Sequence, residues 1–298
     1  MSAHAEFLRA ASNNKDLASQ IKADFRKASL SQRDFRMLEF VEKLTLFPAL
    51  LLETDVKLLR QIGFSDSEIL HIVLGSAHFN YLNRMADGLG IQFEYKSGIE
   101  EFKVPASGQP AESPAEPAVR HVKSIPNPTV AWIHFPEISP APGNANEPVN
   151  LYRVMGDNPA ARNLARDWRT YQLTGTPALT ARRRAELALF ISALNRCDYS
   201  AYWFTQPLRQ LGATAEECDR LARGQKPEQL SGSEQLLFEH AERLTQQPWT
   251  TRESHIESLR QAGMNDHGIL QLTMLCSYLS FENRVALGLG VALEISSD

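Results

Sequence analysis

The residues most capable of chemistry in this chain lie around Cys197. An apolar segment predicted to be helical reaches Asn195, and the cysteine follows where the next predicted helix begins. A thiol at a helix N-terminus lies beside the positive end of the helix dipole and beside free backbone amides. This position predicts a lowered pKa for Cys197 and a thiolate that can attack an electrophile. The alternative is a small buried residue at a helix junction.

Helices are predicted in both the N-terminal and the C-terminal part of the chain. From Ser31 to Thr45, apolar residues recur every third position on one helix face, and Ser31 is suited to cap that helix. Few convincing strands are found, so the predicted class is all-α. Further helices are predicted over residues 69–89, 158–173, 180–194, from 198 to before 212, and after 214.

The first hundred residues recur at the end of the chain. With an offset of 200 positions and no gap, 18 of the 51 positions from Leu44 to Glu94 are identical to their counterparts. A fixed-offset match of this length indicates an internal duplication. The second copy is preceded by about 75 residues of folded character, near 125–200, which have no counterpart before the first copy.

Three regions are predicted from this pattern. Residues 1–100 form the C-terminal half of a helical domain, and residues 126–298 form a fuller domain of related sequence. Between them, residues 101–125 are rich in Pro, Ser, Gly and Ala and predict a flexible linker. The irregular stretch from Pro126 to Pro148 has some strand-like character at Val130–Ile133 and is expected to be an ordered arm on the second domain. Residues 1–100 are expected to pack against residues 150–298.

Composition narrows the classes of function. The chain has 298 residues, of which 43% are hydrophobic, and a net charge of -4, so nucleic acid and anionic membranes are not expected partners. Neither a long apolar run nor a basic leader followed by an apolar run is present, so we expect a cytoplasmic protein. Three cysteines are too few and too scattered for a disulfide framework.

Several segments carry a resemblance to a known family, and they are Ser192–Tyr199, Lys43–Thr45 with Arg243–Thr245, and Phe79–Arg84 with Phe281–Arg284. On these segments the chain resembles the carboxymuconolactone decarboxylase / alkylhydroperoxidase D-like superfamily, particularly its peroxidase-related branch. The resemblance covers about residues 150–298 once and residues 1–100 a second time, as the family's C-terminal half. It implies duplicated all-α domains that assemble as oligomers.

The resemblance also implies a catalytic set that this chain keeps only in part. Peroxidase members have a Cys-x-x-Cys pair, a histidine four residues after the second cysteine, and a glutamate twelve residues before the first. The second thiol attacks the peroxide and the first resolves the sulfenic acid as a disulfide. Here the first position is Cys197 and the second is Ser200, while the histidine position is Phe204. The glutamate position is Ala185, with Glu186 one residue late, about 100° around a helix.

The repeat places one further candidate at this site. Phe204 aligns with His4 across the 200-residue offset, so His4 occupies the family's histidine position in the first copy. Either the gene is a degenerate fusion or the start codon is placed too late. The candidate site residues are therefore Cys197, Ser200, Glu186 and His4. The alternative for Glu186 is a solvated helix residue, and the alternative for His4 is an inert residue near the terminus.

Other conspicuous residues are given structural interpretations. The Asn-Arg pairs ending at Arg84 and Arg284 persist in both copies, and each arginine is expected to bind a carboxylate or a helix end. The aromatic residues beside Cys197 are expected to line a pocket or a subunit interface. His71 and His78 share a predicted helix without a third ligand, so no metal and no cofactor are expected.

The resemblance favours an alkylhydroperoxidase-like antioxidant protein that reduces peroxides weakly through Cys197. Its substrate would be a peroxide or a small organic molecule, its reductant a thiol, and its expected state a homo-oligomer. The first alternative is a catalytically inactive scaffold or binding protein of the same fold. The second is a cofactor-free enzyme like carboxymuconolactone decarboxylase, with Glu186 or His4 as its acid or base.

Overall fold

The structure is a computed structural model that describes residues 8–10, 12, 16–91, 130–134, 148–156, 158–175 and 178–294. Over these ranges it contains helices and no strand, which confirms the all-α class. His4 and the predicted linker 101–125 lie outside the described residues. The helices are α1 (Leu17–Asp24), α2 (Gln32–Leu46), α3 (Glu53–Gln61), α4 (Asp66–Leu89), α5 (Val149–Arg153), α6 (Pro159–Thr174), α7 (Ala181–Leu194), α8 (Asp198–Gln210), α9 (Ala215–Ala222), α10 (Gly232–Gln246), α11 (Glu253–Gln261) and α12 (Asp266–Leu289).

The helix bounds in the two related segments differ by 200 positions at every end. Helices α2, α3 and α4 match α10, α11 and α12, and a 3-10 helix at Pro48–Leu50 matches another at Pro248–Thr250. The caps recur too, since the Ser31 side chain accepts a hydrogen bond from the Asp34 backbone and Ser231 accepts one from Glu234. The same local signals therefore start equivalent helices in both segments.

The helices between the two segments begin where their capping residues predict. The side chain of Asn158 accepts from the Ala161 amide at the start of α6, and that of Thr180 accepts from the Arg183 amide at the start of α7. Thr214 forms a capping box at the start of α9. The predicted bounds of these helices are confirmed to within one or two residues.

Helices α4 and α12 pack against each other and join the two segments through reciprocal contacts. The Arg84 guanidinium donates to the Thr245 carbonyl at 3.1 Å, and Arg284 donates to the Thr45 carbonyl at 2.9 Å. Each arginine thus binds the last turn of the other segment's helix, where the helix dipole is negative. The expectation that both arginines bind a helix end is confirmed, as is the packing of residues 1–100 against 150–298.

Two glycines allow this close packing. A Cβ atom at Gly88 would lie 2.6 Å from Cγ2 of Thr273, and one at Gly288 would lie 3.0 Å from Cγ1 of Val73. Because residues 73 and 273 are equivalent in the repeat, these contacts are reciprocal as well. The two segments are therefore related by an approximate two-fold axis, as in an isologous dimer contact.

A short arm from Val130 to His134 lies across the end of α12. The Trp132 amide donates to the Leu289 carbonyl at 2.8 Å, and the Ala292 amide donates to the Val130 carbonyl at 2.9 Å. The described part of the expected arm, Val130–His134, thus lies on the second domain, and its conformation is a series of bends rather than a strand. Among the described helices, none combines the length and hydropathy that a bilayer crossing requires.

Candidate functional site

The corner between α7 and α8 fixes the position of Cys197. Helix α7 is closed by hydrogen bonds from the Arg196 amide to the Ala193 carbonyl and from the Cys197 amide to the Ser192 carbonyl, both at 2.9 Å. Arg196 adopts a left-handed conformation with φ of 53° to make this turn. Cys197 is then the N-cap residue of α8, as the sequence predicts.

The environment of the thiol differs from the predicted one. The Cys197 side chain is 1% exposed, and its Sγ atom donates to Oγ of Ser200 at 3.4 Å. The pKa of Cys197 is raised to about 12, mainly by burial and also by the carboxylates of Glu282 and Asp198, while the hydrogen bonds with Ser200 act in the opposite direction. The expectation of a lowered pKa is therefore wrong, because the loss of solvation outweighs the effect of the helix N-terminus.

Phe204, which the resemblance aligns with a histidine, packs against a cation within the core. Phe204 is 1% exposed, and the guanidinium carbon of Arg169 lies 4.6 Å from the centre of its ring. Arg169 in turn forms an ion pair with Glu282 on α12. The position that would carry a proton relay is thus filled by a phenyl ring under a permanent cation.

Glu282 is bound on both sides within the core. It pairs with Arg169, and its Oε2 atom accepts a hydrogen bond from the Tyr278 hydroxyl at 2.6 Å. Burial opposes the charged form of Arg169, but Glu282 together with Tyr278 and Tyr152 outweighs burial and raises the arginine's pKa. Burial also raises the pKa of Tyr278, so its hydroxyl remains a donor. The arrangement is a fully formed buried ion pair.

Sequence reasoning did not identify Arg169 and Glu282 as partners. A signal was available, since Ala165, Arg169 and Gln172 are the buried residues of α6 and share one face. An arginine within an otherwise buried stripe implies a buried counter-ion. The identity of that counter-ion was not accessible, because 113 positions separate Arg169 from Glu282.

Glu186 does not face the solvent. It is 6% exposed, and its two carboxylate oxygens bind Nε of Arg182 at 2.9 Å and Nη1 of Arg183 at 2.6 Å. Arg182 also forms an ion pair with Glu217 on α9, and Arg183 forms one with Glu234 on α10. The interpretation of Glu186 as a solvated helix residue is wrong, and the residue anchors a network that ties three helices together.

The aromatic residues beside Cys197 hold the C-terminal segment. The Tyr199 hydroxyl donates to Oε1 of Glu294 at 2.7 Å, and Nε1 of Trp203 donates to Oε2 at 3.0 Å. Tyr202 points outward and is 39% exposed. Two of these three side chains therefore fasten Glu294 to α8.

The remaining polar candidates do not converge on this corner. His71 Nδ1 contacts the Ser67 carbonyl at 2.7 Å, and His78 stacks with Tyr81. Within the described ranges, no group of three or more His, Cys, Asp or Glu side chains is placed to hold a metal ion. Cys218 and Cys276 are buried and free, and burial raises the pKa of both.

Comparison with solved structures gives a similarity of fold. No family model and no curated protein matches the chain. The chain is similar to the solved structure of an uncharacterized peroxidase-related protein from Silicibacter sp. TM1040, with 21% sequence identity and a TM-score of 0.46. The matched region spans 49% of this chain and 76% of the other protein's chain.

Proposed function

We propose that this chain is a non-catalytic scaffold protein of the alkylhydroperoxidase D-like type, in which Cys197 is a structural thiol. The observation that carries the proposal is that Cys197 is 1% exposed and that burial raises its pKa to about 12. At pH 7 such a thiol is ionised in about one molecule in 10⁵, against a few per cent for an ordinary cysteine. Because the thiolate is the nucleophile, a buried thiol with a raised pKa attacks a peroxide slowly.

The neighbouring groups support the same conclusion. Ser200 cannot form a disulfide with Cys197, and Phe204 cannot carry a proton. Both oxygens of Glu186 are bound by arginines, and Glu282 is bound by Arg169 and Tyr278. A carboxylate held in this way supports the fold and is not poised to accept a substrate proton.

Weak thiol-based peroxide reduction is the second candidate, and the position of Cys197 as the N-cap of α8 favours it. In that cycle the thiolate would take one oxygen from a hydroperoxide, releasing an alcohol and leaving a sulfenic acid. Two equivalents of an external thiol would then restore Cys197, with release of water and formation of a disulfide between the external thiols. A decarboxylase-like activity is less supported, because both Glu186 and Glu282 are engaged by arginines.

Peroxide consumption by three forms of the protein distinguishes the two candidates. We would compare the wild type, Cys197→Ala and the matched control Cys218→Ala, whose cysteine is also 1% exposed but is not an N-cap residue. With cumene hydroperoxide and dithiothreitol, the proposal predicts equal background rates for all three. Consumption by the wild type and Cys218→Ala but not by Cys197→Ala would establish the peroxidase instead.

The cellular location is part of the same proposal. The three cysteines are all free, which suits a reducing compartment, and we place the protein in the cytoplasm on that ground.

A further inference from the structure

The buried arginines Arg84 and Arg284 occupy equivalent positions but have different neighbours. In the first segment, Nη1 of Arg84 donates to Oδ1 of Asn80 at 2.9 Å and to the Asn80 carbonyl at 3.1 Å. The Asn80 side chain is itself fixed, because its Nδ2 atom donates to Oγ1 of Thr45 at 3.1 Å and to the Ser76 carbonyl at 3.0 Å. Arg84 therefore has a side-chain acceptor that is held in place.

The second segment lacks this acceptor, because the residue equivalent to Asn80 is Ser280. Serine is too short to place an oxygen where Oδ1 of Asn80 lies, and Nη1 of Arg284 donates to the Ser280 carbonyl at 3.1 Å. Among the described residues, the Ser280 hydroxyl and the Nε atoms of both arginines are buried without a hydrogen-bond partner. Ser280 is 0% and Arg284 is 3% exposed, so bulk water does not satisfy these groups.

The two segments also differ in the charge beside the arginine. Burial lowers the pKa of Arg84 to about 10, while the carboxylate of Asp87 acts in the opposite direction. The residue equivalent to Asp87 in the second segment is Leu287. Burial and the nearby charge of Arg84 lower the pKa of Arg284 well below its usual value. Within the described part of the chain, Arg284 is therefore a buried cation that no carboxylate compensates.

We infer that a small monovalent anion, of the size and charge of chloride, binds beside Arg284 at the place that the Asn80 amide takes in the first segment. A buried guanidinium is costly unless an opposite charge accompanies it, and a water molecule supplies hydrogen bonds but no charge. One such anion balances the one uncompensated cation. It accepts hydrogen bonds from Nη1 of Arg284 and from the Ser280 hydroxyl.

The anion would stabilise the contact between the two segments. Arg284 donates to the Thr45 carbonyl of the first segment at 2.9 Å, so a counter-charge that holds its guanidinium also holds this link. The unfolded chain does not bring Arg284 and Ser280 together in a dry environment. Binding to the folded chain alone couples the anion concentration to stability.

Urea unfolding of the full chain at constant ionic strength tests this inference. Sodium chloride is exchanged for sodium gluconate, whose anion is much larger than the Asn80 amide. The folding equilibrium constant is expected to rise up to about tenfold for each tenfold increase in chloride above the dissociation constant. An unfolding curve of the wild type that is the same in chloride and in gluconate would overturn the inference.

Two variants reproduce what the first segment already has. Ser280→Asn supplies the amide, and Leu287→Asp supplies the carboxylate, so each is expected to remove the dependence on chloride. The control Ser258→Asn makes the first change on α11, where the Ser258 hydroxyl donates to the Ser254 carbonyl, and is expected to keep the wild-type dependence. A dependence that Ser280→Asn retains is a general salt effect and would overturn the inference. If Ser280→Asn does not fold, Leu287→Asp decides in its place.

Anomalous scattering from bromide supplies a readout that does not depend on stability. Crystals of the full chain grown in sodium bromide are expected to show an anomalous peak within hydrogen-bond distance of Nη1 of Arg284 and Oγ of Ser280, and none beside Arg84. Electron density of a water molecule without an anomalous signal beside Arg284 would overturn the inference. Both tests are independent of the reactivity of Cys197.

Discussion

The buried pair of Arg169 and Glu282 offers a quantitative test of the site's structural role. The two side chains are 9% and 2% exposed, so neither charge is solvated when its partner is removed. Glu282→Gln keeps an acceptor for the Tyr278 hydroxyl but leaves the Arg169 cation unpaired in the core. Removing one partner of a buried pair costs about 3–5 kcal/mol. Arg169→Met leaves the carboxylate unpaired and is expected to cost a similar amount.

The double variant Arg169→Met/Glu282→Gln leaves no buried charge at this position. Replacing both partners of a buried pair is often nearly neutral, so we expect the double variant to lie within about 2 kcal/mol of the wild type. The coupling free energy from this cycle is then about 4 kcal/mol or more. Urea unfolding followed by tryptophan fluorescence measures it, since Trp168 packs on Tyr278 beside the pair. Additive single-variant costs would refute the interpretation of the pair as an interdependent structural unit.

Two further predictions concern other parts of the core. Burial lowers the pKa of His240 from 6.5 to about 4. Between these pH values the unfolded chain binds a proton that the folded chain does not. The free energy of unfolding is therefore expected to fall by up to about 3 kcal/mol as the pH drops from 6.5 to 4. His240→Gln should flatten this part of the stability–pH curve, and an unchanged slope would contradict the assignment. Gly88→Ala should lower the unfolding free energy by about 1–3 kcal/mol, because the new Cβ would lie 2.6 Å from Thr273. The control Gly232→Ala meets no atom within 4 Å and should change the unfolding free energy by less than about 1 kcal/mol. Equal costs in urea unfolding would contradict the packing at Gly88.

The sequence was sufficient to predict features that depend on local signals. Caps such as Ser31, Thr180 and Thr214 predicted where helices begin, because their side chains bind the first amides of the helix. The 200-residue repeat predicted that equivalent helices would have equivalent bounds. The position of Cys197 at the start of α8 followed from the same local reasoning.

The features that sequence reasoning missed depend on contacts between distant elements. Hydrophobic periodicity indicates which face of a helix is apolar, but not how deeply neighbouring helices bury it. The predicted direction of the Cys197 pKa shift was therefore wrong, because the sequence indicates the helix N-terminus but not the depth at which the thiol is buried. Glu186 was placed in solvent for the same reason, although the two arginines that bind it precede it on its own helix.

The measurement that tests the proposed function most directly is site-mapped labelling of Cys197 in folded protein. The protein would be treated with a few equivalents of hydroperoxide in the presence of a sulfenic-acid probe, and digested for mass spectrometry. A structural thiol with a pKa of about 12 predicts no probe at Cys197, while a thiol reagent applied after unfolding in urea should modify all three cysteines. Probe confined to Cys197 in the folded protein would contradict the proposal and restore the thiol peroxidase.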